Sequence, residues 1–185
     1  WIGDFVTGLF EAADEFDVAL VGGDTTRGDA VVATVHLSGD IARGRALLRS
    51  GACTGEAIYV TGTLGDAAAG LELWRRGERD DFLVNRFLRP SARVATGLSL
   101  VGRASAAIDI SDGLFGDLAK LLQASNVGGE LEISSLPLSS AITSSFDNED
   151  CVRFALSGGD DYELCFTCST EDVEGIDGIC RIGTV

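Results

Sequence analysis

Ile108-Asp109-Ile110-Ser111-Asp112-Gly113-Leu114 is the stretch on which the reading of this chain turns. Ala106–Ile110 is a short apolar run, long enough for a buried strand. Ser111 and Asp112 are helix-capping residues, and Leu114, Leu118, Leu121 and Leu122 then recur at helical spacing. The pattern predicts a strand that stops abruptly and turns into a helix. Asp109 falls near the strand's C-terminal end and Asp112 at the helix start, an edge at which open α/β sheets bind ligands. Two carboxylates three residues apart across such a turn repel unless something positive lies between them, and a divalent cation removes the repulsion. Other readings of the same letters stand beside this one: Asp112 as a plain helix cap, and Asp109 as a hydrogen-bonded strand end.

Similar turns recur on either side. Val18–Val21 reads as a short buried strand running into Gly22-Gly23-Asp24-Thr25-Thr26, where paired glycines let a backbone approach a ligand; hairpin chemistry explains the same letters. Gly158-Gly159-Asp160-Asp161-Tyr162-Glu163-Leu164 is a second glycine pair followed by acids. Three acid-rich glycine turns in one chain are harder to account for as ordinary turns than one.

Elsewhere strands and helices intermix without an internal repeat. Residues 1–14 carry Ile2, Phe5, Val6, Leu9 and Phe10 at helical spacing. Ala30–Leu37 alternates like a strand. Helices are expected over Asp66–Arg75, Phe82–Leu88 and Ser91–Val101, the last after Pro90. Ala57–Gly62, Gly129–Ile133, Leu164–Thr167 and Cys180–Val185 read as strands, and Leu136–Ser145 as loop with room for a short helix. The fold class is α+β, a mixed α/β chain, with a boundary near residues 44–52.

Composition narrows the function. The 185 residues are 45% apolar with two prolines, enough for a packed core. Fourteen basic against twenty-nine acidic side chains give a formal charge of −15, which argues against a nucleic-acid surface. An anionic substrate would be repelled unless some of those carboxylates held divalent cations. No apolar run reaches bilayer length and no signal peptide is visible, so the expected setting is cytoplasmic, with no membrane partner. Five cysteines give no metal-finger spacing; Cys165 and Cys168 form a lone Cys-x-x-Cys inside a strand-like run, read as buried hydrophobes. His36, the single histidine, sits in a strand pattern and is read as structural. Arg43, Arg45 and Arg49 cluster near the boundary. Arg49, just before Ser50-Gly51-Ala52, is favoured for a ligand role because arginine suits bidentate phosphate contact.

Taken in order, Gly22–Thr26, Gly44–Ala52, Ile58–Gly62, Arg89-Pro90, Asp109–Leu114 and Gly158–Leu164 resemble the thiamine-monophosphate kinase family, within a superfamily of ATP-using synthetases. The resemblance implies a two-domain synthetase-like kinase fold. Residues 1–46 would be the remainder of an N-terminal ATP- and metal-binding domain, and 47–185 a C-terminal α/β domain incomplete at its end. It implies Mg2+ on Asp24, Asp109 and Asp112. ATP contacts would come from Gly23, Asp24, Arg49 and Ser111, and contact with thiamine monophosphate from Asp160. Asp160 stands where the family usually has Glu, a shortening that keeps the charge and withdraws the carboxylate by one methylene. The family's N-terminal aspartates and C-terminal aromatic have no counterpart here, so the chain reads as the middle of such an enzyme, one that commonly forms a homodimer. The implied reaction is direct in-line transfer of the ATP γ-phosphoryl group to thiamine monophosphate, with metal assistance and no acid/base residue. Two alternatives stay open: another ATP-using synthetase of the superfamily, and an inactive nucleotide- or metal-binding fragment.

Overall fold

A computed structural model describes residues 1–185, which divide into two compact units, Trp1–Ile41 and Ala42–Val185. In the first unit, α1 (Ile2–Glu15) forms as its periodicity predicts, with Trp1 stacked on Phe5 at 5.6 Å. The strands expected at Val18–Val21 and Ala30–Leu37 do not form: both segments are irregular, and their valines and leucines are exposed. An alternating pattern shows which face a strand would bury, but a strand exists only when a neighbour takes its N–H and C=O groups, and no strand lies in this unit. His36 is exposed there, its Nε2 3.1 Å from Ser38 Oγ.

The second unit is a five-stranded antiparallel sheet with helices on it. The strands are β1 (Ala57–Thr61), β2 (Ala106–Ile110), β3 (Glu130–Leu131), β4 (Glu163–Cys168) and β5 (Ile179–Thr184), in the spatial order β2-β4-β1-β5-β3. The helices are α2 (Asp66–Arg76), α3 (Asp81–Leu88), α4 (Val94–Leu100), α5 (Leu114–Ser125), α6 (Ser140–Ser145) and α7 (Asn148–Ser157). No helix is long and apolar enough to cross a membrane.

Alternation along the central strands builds two cores. Ile58, Val60, Ile108, Ile110 and Cys165 face Leu114, Leu118 and Leu121 of α5. On the opposite face Tyr59 and Phe166 stack at 5.5 Å, beside Leu100 of α4 and Cys168. Cys165 and Cys168 are thus buried on opposite sides of β4 and cannot act as a redox pair. Burial pushes their thiols up to about 12 and about 11, so both behave as small hydrophobes. A third cluster, with Leu73, Leu83, Ile142 and Phe154, joins α2, α3, α6 and α7.

Three expectations shift in detail. α4 begins at Val94 and not directly after Pro90. The strand expected over Gly129–Ile133 is only β3, because the chain tightens into a 3-10 turn at Ile133–Ser135. α7 lies where no element was expected, although Asp147 caps it by accepting the Asp150 N–H at 2.9 Å.

Candidate functional site

The sheet is antiparallel throughout, so the crevice of a parallel α/β sheet is not what gathers the acidic turns. The pairing of β2 with β4 does that instead. In an antiparallel pair the C-terminal end of one strand lies beside the N-terminal end of the other, and here Ile110 faces Glu163. The segment leaving β2 therefore meets the segment entering β4. The Asp160 N–H donates to the Ser111 carbonyl at 3.0 Å, and the Tyr162 N–H donates to the Ile110 carbonyl at 2.9 Å. The approach is close enough to demand glycine. A Cβ on Gly159 would lie 2.7 Å from the Ser111 oxygen, and one on Gly113, whose φ is +115°, would lie 3.0 Å from the Ser157 carbonyl carbon. Asp160 and Tyr162 are themselves held at positive φ, +67° and +50°, a conformation that surrounding structure must impose.

Two of the three expected turns, 109–113 and 158–163, thus form one corner. The third, Gly22–Thr26, belongs to the first unit, where Gly23 and Asp24 are exposed and Asp24 Oδ1 accepts the Thr25 N–H at 2.7 Å.

Ser111 and Asp112 do not cap α5 as expected. The helix begins at Leu114 behind Gly113, with no side-chain cap. The turn is held by Asp117, from inside α5: its buried Oδ2 accepts the N–H groups of Ser111 at 3.0 Å and Asp112 at 2.9 Å. Lys120 Nζ donates to Asp117 Oδ1 at 2.8 Å and to Asp112 Oδ2 at 2.6 Å. Burial alone would raise the Asp117 carboxyl. The Lys120 hydrogen bond, the two backbone amides and the Lys120 charge outweigh it and keep Asp117 below the usual carboxylate range. Asp117 and Lys120 were invisible as site residues, because an Asp inside a helical run reads as solvated.

The second turn is anchored from beneath by two buried acids. Asp161 accepts the N–H of Gly65 at 2.7 Å and of Ala67 at 3.2 Å, so it serves as the missing N-terminal cap of α2. Burial raises it to about 6 against those amides and the nearby Arg86. Glu163 is fully buried. It takes a two-point contact from Arg93, a hydrogen bond from Arg86 at 2.8 Å and another from the Thr61 hydroxyl. What remains outward is Asp160, with Tyr162 Oη donating to its Oδ1 at 3.2 Å. That hydrogen bond, partial burial and the negative charges of Asp160, Asp109 and Asp112 raise the Tyr162 phenol. Three carboxylates therefore share the field at this corner.

Arg49 approaches along the free edge of the sheet. The Ala107 N–H donates to the Leu48 carbonyl at 2.8 Å, so the segment runs beside β2, and Ser125 Oγ donates to the Arg49 carbonyl at 3.2 Å. Arg49 and Asp109 line one open cleft of about 570 Å³, whose other walls include Leu48, Ala107, Gly97 and Leu164. An arginine and a carboxylate in a mostly apolar cleft suit a ligand with a flat apolar part and an anionic tail.

Within residues 42–185, no group of three or more His, Cys, Asp or Glu side chains forms a ready-made metal cage. Magnesium rarely needs one, being held by one or two carboxylates together with phosphate oxygens and water. Asp109 and Asp112 fit that pattern: both are exposed, and Asp112 already carries a positive group, the Lys120 ammonium.

An antiparallel sheet flanked by helices is the architecture of a known class. The chain belongs to the AIR synthase related family: residues 54–173 match the description "AIR synthase related protein, C-terminal domain". Among individual proteins it is similar to thiamine-monophosphate kinases. It is 44% identical to that of Escherichia coli over 173 residues, 90% of this chain and 53% of the relative. The crystal structure of thiamine-monophosphate kinase from Stenotrophomonas maltophilia matches it with a TM-score of 0.89 and 41% identity, over 100% of this chain and 64% of that one. A structure described as AaThiL complexed with AMPPCP and TMP matches with a TM-score of 0.71 and 38% identity, over 75% of this chain and 47% of that one. The chain spans about half the length of the curated relatives it matches.

Proposed function

We propose that the protein takes part in ATP-dependent phosphorylation of thiamine monophosphate to the diphosphate, with magnesium, by direct in-line transfer. The observation that carries this reading is the contact of the Asp109–Gly113 turn, whose Asp109 lines a cleft with Arg49, with the Gly158–Glu163 turn, in a chain similar to a kinase solved with AMPPCP and TMP. The chemistry asks little of the protein in acid or base. An acceptor phosphate is already ionised at neutral pH, and the remaining demands are to neutralise and align two polyanions. Arg49 offers a planar fork to phosphate oxygens, and Ser111 a hydroxyl donor on a turn fixed by the Asp160 N–H at the Ser111 carbonyl. Asp109 and Asp112 would hold magnesium, which when bound would supply positive charge to offset that of the phosphates. Asp160, steadied by Tyr162, is assigned to the thiamine-bearing substrate. Gly23 and Asp24, in the first unit, are assigned to ATP and magnesium on the family resemblance alone. A homodimer in the cytoplasm belongs to the same proposal.

The test is Asp112→Asn, assayed as thiamine diphosphate formed from ATP and thiamine monophosphate. Turnover is expected to fall by about a hundredfold or more, the scale of losing one preorganised electrostatic contact. Near-normal turnover at saturating magnesium sinks the role.

A further inference from the structure

We propose that Lys120 is the resident counter-ion of the acidic corner, holding Asp112 against buried Asp117 and setting how tightly the corner takes a divalent cation. The inference rests on the magnesium role proposed for Asp109 and Asp112. Lys120 is the only lysine in the chain, among thirteen arginines, and it stands at this corner. Its ammonium bridges Asp112 Oδ2 at 2.6 Å and Asp117 Oδ1 at 2.8 Å. The two bridged acids differ in kind. Asp117, 1% exposed, is committed to the backbone amides of Ser111 and Asp112, whereas Asp112, 71% exposed, makes no other side-chain hydrogen bond. Lys120 is therefore anchored at one end and releasable at the other.

Residue type matters here. An ammonium is a compact, strongly hydrated point charge on a flexible stem, which a hydrated cation can displace from one carboxylate oxygen. A guanidinium would grip the same carboxylate through two parallel bonds. Without Lys120, Asp112 would stand beside buried Asp117 uncompensated whenever no metal is present. With it, the corner stays folded, and an arriving divalent cation has to compete with a charge already there. Lys120 is thus a positioning residue that acts through Asp112.

The sign of the effect separates this role from simple support of the fold. K120M keeps the apolar stem and removes the charge, and K120Q removes the charge but keeps a donor for Asp117. Mn2+ alone is titrated into the full chain, without nucleotide, and free Mn2+ is read by electron paramagnetic resonance, with circular dichroism confirming that each variant is folded. Both variants are expected to bind Mn2+ more tightly, by roughly threefold or more, as removal of a nearby positive charge requires, while K120R is expected not to tighten it. Unchanged or weaker binding in the folded neutral variants overturns the proposal. Asp109→Asn and Asp112→Asn serve as separate arms. If they leave wild-type Mn2+ binding intact, the magnesium reading falls and takes this one with it; if they abolish binding while K120M and K120Q change nothing, only the assignment of Lys120 falls.

Discussion

Replacing Glu163 by Gln tests how the second acidic turn is held in place. Glu163 is fully buried at the first position of β4, and both of its oxygens are used. Oε1 takes Arg86 at 2.8 Å and Arg93 at 2.6 Å; Oε2 takes Arg93 Nε at 2.6 Å and the Thr61 hydroxyl. Gln keeps one acceptor but turns an NH2 group toward a guanidinium, donor against donor, and leaves two arginines without their anion. Removing one partner of a buried ion pair costs about 3–5 kcal/mol. The Arg86 side chain is only 12% exposed, but that of Arg93 is 33% exposed and solvent screens part of its charge, which favours the lower end, about 3 kcal/mol. In urea, with a slope of about 2 kcal/mol per molar, the unfolding midpoint of Glu163→Gln should fall by about 1.5 M. Glu163→Gln combined with Arg93→Met should cost less than the sum of the two single changes, by about 1 kcal/mol or more, because the second change removes a charge the first left stranded. A midpoint shift below about 0.3 M, or strict additivity, would refute the view that this buried cluster anchors the turn.

Two further outcomes follow from the same geometry. Asp161 is raised from 3.8 to about 6, so the folded chain holds a proton that the unfolded chain releases; its stabilising contribution is complete below about pH 4 and is lost as pH rises to about 6, a change of about 3 kcal/mol. Urea titrations of wild type and Asp161→Asn at pH 4.5 and 7.5 should show about 2 kcal/mol of that decline in wild type only, and parallel behaviour of the two proteins counts against it. Gly159→Ala places a methyl 2.7 Å from the Ser111 carbonyl and should cost about 1–3 kcal/mol, lowering Tm by about 3–10 °C, whereas Gly128→Ala, with open space around it, should not lower Tm.

What the sequence disclosed and what it hid divide along a physical line. Periodicity located β1, α2, α3, β2, α5 and β4, because each element buries its apolar face within the second unit. The same reasoning failed at Val18–Val21 and Ala30–Leu37, since alternation describes a strand's side chains and is silent about whether a partner is present. At the corner, the letters marked both turns as unusual without sorting their acids. Asp160, Asp161 and Glu163 are near neighbours in sequence, yet one faces outward, one caps α2 and one is enclosed by arginines. Only the positive φ values and the entry into β4 separate them. Lys120 carries one signal in the sequence, its uniqueness in an arginine-rich set of cations.

The conformation of the Ser111–Asp112 turn is dictated by a carboxylate five and six positions downstream, on the first turns of α5. A loop governed from such a distance takes its shape from Gly113 and the helix behind it, not from every residue between. Phe115, 67% exposed between the turn and Asp117, is thereby at liberty to change, and evolution can retune what the corner presents to solvent while its scaffold stays fixed.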